Sequence, residues 1–223
     1  MTGTIAENIA KVRSTLPEGV ELVAVSKFQP VESLRIAYDA GQRVFGESRV
    51  NELLDKISAL PDDINWHFIG HLQTNKVKAV VGRVALIESV DSQRLLDLID
   101  RLSAEVGVTS RVLMQVHVAA EETKFGWTPD ELIEYFVERR FENLRATHLC
   151  GIMGMATNTD DEVRVEADFA RIADLRRQIL GIAPDLRGFD IVSMGMSGDY
   201  ELAVRQGANM VRIGSTIFGD RNY

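Results

Sequence analysis

What most constrains this chain is an alternation that runs along nearly all of it. A short apolar, β-branched run is followed each time by a stretch with helical spacing. The first unit is ELVAVSK (21–27), which reads as a buried strand, then PVESLRIAYDAG (30–41), a helix opened by proline and closed by glycine. Strands recur at 43–48, 65–70, 84–90, 111–119, 146–156 and 189–197, with helices after them at 50–58, 74–82, 92–107, 129–141, 161–180 and 199–208. A last strand occupies 210–219. Eight strands alternating with seven helices imply parallel pairing through helical crossovers. Eight such units can close into a (β/α)8 TIM barrel; an open doubly wound sheet is the alternative topology. A helix over 4–16 is placed to cover the position that strand 8 leaves without one. No linker-like segment interrupts the pattern, so one domain is expected over 1–223.

Composition narrows the partners. The net charge of −8 argues against a nucleic-acid surface and against basic patches that would hold the chain on anionic lipid. No apolar run approaches the roughly 20 residues of a membrane span. The N-terminal stretch is amphipathic, not a signal peptide, and the single cysteine, Cys150, cannot form an internal disulfide. A soluble, cytoplasmic protein is expected, with a monomer as the simplest assembly.

In such barrels the chemistry sits at the C-terminal ends of the strands. Polar residues gather there: Ser26 and Lys27; Gly46, Glu47 and Ser48; His67, Gly70 and His71; Ser193, Gly195 and Ser197; Arg212, Gly214 and Ser215. Lys27 closes an apolar run, and partial desolvation of its amine would leave more of it free to attack an aldehyde. A solvated lysine marking a strand end is the plainer reading. The loops SMGMSGD (193–199) and RIGST (212–216) offer glycine N–H groups and hydroxyls after strands 7 and 8, where barrels commonly bind phosphate, with Ser197 as N-cap of the helix over 199–208. Ordinary turn chemistry explains either loop equally well. Together, an amine facing a phosphate cradle describes a phosphorylated aldehyde held at both ends. Arg212 would lie between them, or would pair with a barrel carboxylate such as Glu47 or Glu88. His67 is placed to bond a ligand hydroxyl. No Cys/His cluster points to zinc, and Met153, Met155, Met194 and Met196 read as packing.

Read in order, AVSK (24–27), FGES (45–48), WHFIGHLQTNK (66–76), TKFG (123–126), GIMGM (151–155), SMGMSGDYELAV (193–204) and MVRIGSTIFG (210–219) resemble the YggS/PROSC family of pyridoxal phosphate homeostasis proteins. The resemblance implies a barrel of the alanine racemase N-terminal type and pyridoxal 5′-phosphate (PLP) as a Schiff base on Lys27. It also implies phosphate contacts from SMGMS and RIGS, and, by similarity to alanine racemases, Arg212 facing the pyridine nitrogen. A cationic donor there would keep that nitrogen unprotonated and weaken the ring as an electron sink. Two departures stand out. Ser48 replaces the asparagine of the commoner FGEN, and His71 stands where bacterial members often carry proline.

Three functions follow from this reading. The first is intracellular PLP homeostasis without robust catalysis, with PLP-dependent apo-enzymes as potential recipients. The second is a low-activity PLP-dependent racemase or lyase with Lys27 as base. The third is a binding module without cofactor. Two-base racemisation needs a group on the cofactor's far face, which racemases of this barrel type draw from a C-terminal β-domain; none is expected after strand 8.

Overall fold

A computed structural model describes residues 3–119 and 125–219. Its strands are β1 (Glu21–Val25), β2 (Val44–Glu47), β3 (Asn65–Phe68), β4 (Leu86–Val90), β5 (Ser110–Val116), β6 (Thr147–Gly154), β7 (Ile191–Ser193) and β8 (Met210–Ile213). Around them lie α1 (Ile5–Thr15), α2 (Val31–Asp39), α3 (Val50–Ala59), α4 (Val77–Val80), α5 (Gln93–Val106), α6 (Pro129–Val137), α7 (Glu162–Ile182), α8 (Tyr200–Arg205) and α9 (Ser215–Phe218). The strands form a closed parallel barrel in chain order, and β8 returns to β1 with Leu22 opposite Val211 and Ala24 opposite Ile213. Parallel neighbours need crossovers, which the intervening helices supply.

Side-chain alternation divides the strands between two cores. Leu22, Ala24, Phe45, Trp66, Ile87, Val112, Ile152, Val211 and Ile213 face outward and pack with the helices. Val23, Val44, Leu86, Leu113, Cys150, Met153 and Met210, one or two each from six strands and none from a helix, pack with one another inside the barrel. The lumen therefore has an apolar floor, and ligand chemistry is confined to the layer above it.

The helix expected at 4–16 is α1, fixed at its start by a capping box between Thr4 and Glu7. It lies against α2 and α9, and Asn8 donates from Nδ2 to the Ile217 carbonyl at 3.0 Å. It thereby takes the outer position beside β8.

Several expected boundaries move. The helix over 74–82 is a 3₁₀ turn, Thr74–Lys76, followed by the single turn of α4. Its β-branched valines are poor helix formers. The helix over 129–141 stops at Val137 because Arg139 adopts a left-handed conformation, φ +53°. The strand over 189–197 is only Ile191–Ser193, since Gly195 at φ +93° turns the chain away. The strand over 210–219 ends at Ile213, and residues 215–218 form α9. No helix among the described residues is long and apolar enough to cross a membrane.

Candidate functional site

Directly above the apolar floor, four polar side chains from four strands join into one chain. Arg212 lies two residues beyond Met210 on β8, hence on the same lumenal face. It is buried, donating to Ser193 Oγ at 2.6 Å and to the Gly154 carbonyl at 3.0 Å. Ser193 in turn donates to Glu88 Oε2 at 2.6 Å, and His67 Nδ1 lies 2.7 Å from Glu88 Oε1. The guanidinium of Arg212 is 3.8 Å from Glu88. Burial pushes the Glu88 carboxyl up, but the His67 hydrogen bond and charge, then Arg212 and Ser193, outweigh it and hold the group below its ordinary value. Glu88 is thus a carboxylate, and the His67 nitrogen facing it carries the proton. Burial lowers Arg212, against the pull of Glu88. The ion pair foreseen for Arg212 is therefore with Glu88; Glu47 points elsewhere.

Lys27 lies two residues beyond the end of β1 and is half-buried. Alternation from the lumenal Val23 assigns position 27 to the lumenal face. The backbone around it turns sharply. Gln29 N–H donates to the Ser26 carbonyl at 3.0 Å, and Phe28 sits at φ +65°. Phe28 N–H donates to Glu52 at 2.8 Å, and the Arg49 guanidinium lies 4.4 Å from the centre of the Phe28 ring. Ser26 and Glu47, expected among the mouth residues, are fully buried on the other side of the barrel wall. Ser26 Oγ donates to Glu47 at 2.6 Å, and Lys56 of α3 meets both. The alternation that sends Lys27 inward sends its neighbour outward.

The loops after β7 and β8 do converge. Gly195 is required: a β-carbon there would come within 2.6 Å of Ala203 Cβ and 2.9 Å of Tyr200 Cα, at a backbone angle side chains avoid. Its carbonyl accepts from Arg212 N–H, tying the loop after β7 to β8. Ser197 does not cap α8, whose first turn follows Asp199; instead its Oγ accepts from Gly214 N–H at 3.2 Å and Thr216 N–H at 3.4 Å. It therefore bridges to the turn after β8. Gly214 lies against β1, where a β-carbon would meet the Val25 carbonyl at 3.3 Å. Ser215 is exposed on the same turn. A cleft of about 850 Å³ opens beside Ser197, bounded by Met155, Thr157, Met196 and Tyr200. Ser48, just after β2, lies at the rim of a second cleft of about 420 Å³ that also touches Arg49, His71 and Lys76.

The barrel thus brings Arg212, Ser193 and His67 into one network, joins Ser197 to Gly214, and sets Lys27 just beyond β1, the strand between β8, which carries Arg212, and β2, which Ser48 follows. Met153 and Met194 are buried packing residues and Met196 is exposed. Of the TKFG segment, Thr123 and Lys124 lie outside the described residues, while Phe125 stacks on His71 with ring centres 3.9 Å apart. Sequence reasoning assigned Glu88 no role beyond a possible counter-charge and missed Lys56. The second left a signal: Lys56 stands three residues after the core Leu53, on the apolar face of its helix.

Residues 2–222 match the family model described as alanine racemase, N-terminal domain. The chain is 39% identical over 208 residues to a pyridoxal phosphate homeostasis protein of Schizosaccharomyces pombe, covering 91% of this chain and 84% of that one. It is 40% identical to the protein of the same name from Aquifex aeolicus, with coverages of 91% and 88%. Among solved structures, PipY of Synechococcus elongatus with PLP bound superposes with a TM-score of 0.89 at 37% identity, over 97% of this chain and 100% of that one. Alanine racemase of Clostridium difficile shares the fold alone, at TM-score 0.76 and 14% identity, over 99% of this chain and 56% of the racemase.

Proposed function

Because the chain belongs to the pyridoxal phosphate homeostasis family, we propose that it binds PLP as a Schiff base on Lys27 and serves cofactor homeostasis without robust catalysis. The observation that carries this reading is the buried, counter-charged Arg212 in the lumen, one strand from Lys27. A guanidinium is costly to bury, and one kept in a lumen above an apolar floor supports a built polar site.

The residues present fit the cofactor's three polar ends. Lys27 supplies the amine for its aldehyde. Ser197, Gly195, Gly214 and Ser215 supply hydroxyls and N–H groups on two converging loops, suited to a phosphate. Arg212 supplies a donor that stays charged, so it can hold a ring nitrogen without protonating it. His67 and Ser48 are the remaining polar groups we assign to the pocket. When bound, PLP supplies an electrophilic aldehyde on an electron-withdrawing ring. The protein's part is to hold and orient it. The reading extends to a cytoplasmic, single-domain monomer over 1–223 that passes its cofactor to PLP-dependent apo-enzymes.

Borohydride reduction of the PLP-loaded protein followed by peptide mass mapping tests it. The expected adduct is on Lys27. Lys27→Ala should lose that adduct and the associated yellow absorbance while melting like the wild-type protein. An adduct on another lysine, or none, refutes the assignment.

A further inference from the structure

Behind the wall that carries Lys27 lies a cluster of charged groups with no part in the lumen. Lys56 is buried on α3, its ammonium 2.6 Å from Glu47, 2.8 Å from the Ser26 carbonyl and 3.5 Å from Glu52. Glu47 is fully buried, accepts from Ser26 Oγ as well, and has one oxygen, Oε2, without a partner among the described residues. Each of the three side chains also reaches the segment that presents Lys27. Lys56 holds the carbonyl just before it. Glu47 holds the side chain of Ser26. Glu52 holds the N–H of Phe28 just after it. Between those anchors the chain adopts the left-handed conformation at Phe28, which costs a non-glycine residue on the order of 1–3 kcal/mol. A turn of this kind persists only when its surroundings over-determine it.

We propose that Lys56, with Glu47, is a positioning residue for Lys27: the buried pair clamps the Ser26–Gln29 turn so that the amine is aimed into the barrel mouth. The inference rests on Lys27 being the lysine that condenses with PLP. Its chemical logic is economical. A buried ion pair contributes little net stability over an apolar pair of similar size. Here the ammonium makes a main-chain bond that no apolar side chain could make. Burial also raises the Glu47 carboxyl above its ordinary value, with Lys56 and Ser26 opposing. Lys56 is the largest influence opposing that rise and lies 2.6 Å from the carboxyl, so the two act as a unit.

Removing Lys56 alone would strand Glu47, so the test removes both charges, as Glu47→Gln with Lys56→Met. Two ligands are compared on each protein: PLP, and pyridoxine 5′-phosphate, which has the same ring and phosphate but an alcohol in place of the aldehyde. In the wild-type protein, tighter binding of PLP and a borohydride adduct at Lys27 establish the underlying reading; without them that reading fails, whatever the clamp does. With them, the double variant should remain folded and bind PLP at least tenfold more weakly. That corresponds to about 1.4 kcal/mol. Pyridoxine 5′-phosphate affinity should change less than about twofold, roughly 0.4 kcal/mol on the same scale. Unchanged affinity for PLP, or an equal loss for both ligands, overturns the proposal. If the double variant does not fold, Glu52→Gln, which weakens the bond to Phe28 N–H and removes the longer ion pairs with Lys56 and Arg49, carries the same comparison with a smaller expected loss, about threefold for PLP alone.

Discussion

Glu88→Leu places a direct demand on the lumenal network. In the wild-type protein Glu88 is fully buried, faces His67 at 2.7 Å and Ser193 at 2.6 Å, and neutralises Arg212 at 3.8 Å. Leucine at this position removes the carboxylate 3.8 Å from the guanidinium, which stays buried with only the weaker influence of Asp199. Such a loss costs about 3–5 kcal/mol. For a chain of 223 residues, at about 2–4 °C per kcal/mol, the melting temperature should fall by roughly 6–20 °C. Arg212→Met is milder, about 1–3 kcal/mol, because Glu88 keeps its bonds to His67 and Ser193. The double variant should cost less than the sum of the two by at least about 1.5 kcal/mol, since each change removes the reason the other is harmful. Urea unfolding followed by circular dichroism measures all four proteins, with an unchanged denaturant slope as the condition for comparing them. Costs that add to within about 0.5 kcal/mol would show that the two charges do not interact, and the account of the site would fail.

Two further outcomes are expected. Because the folded-state value of Glu88 lies below its ordinary 4.5, the unfolded chain binds more protons in that window, so stability rises with pH there. The contribution of Glu88 is complete above pH 4.5 and is lost as pH falls through the depressed value; the stability gap between wild type and Glu88→Gln should therefore shrink in acid, and a constant gap refutes it. Gly195→Ala should destabilise by about 2 kcal/mol or more through its left-handed backbone and the 2.6 Å approach to Ala203, whereas Gly198→Ala, with nothing within 4 Å, should stay within about 0.5 kcal/mol; equal melting temperatures for the two would contradict the packing described.

The barrel was legible in the residues because strand and helix patterns differ in period, and helical crossovers leave parallel pairing as the outcome. Lys27, Ser193 and Arg212 were legible as candidate site residues for a related reason: each is a polar residue at the C-terminal end of an apolar run. What misled was the meaning of neighbouring positions. Ser26 and Glu47 lie at the same height as Lys27, yet a one-residue step along a strand carries a side chain to the opposite face of the wall. Ser197 read as a helix cap from its place before 199–208, but the nearest N–H groups in space belong to Gly214 and Thr216.

Periodicity along the chain, a local property, was enough to determine the number and order of strands, the helical crossovers and which residues reach the barrel's upper rim. Only tertiary closure decided who meets whom across it. Arg212 and Glu88 are far apart in sequence and become an ion pair because β8 and β4 face each other over a lumen narrow enough for side chains to touch. Lys56 became a partner of the Lys27 turn because α3 packs its apolar face on the wall just there. Hydrogen bonds act over about 3 Å, a distance that sequence spacing cannot encode between separate elements.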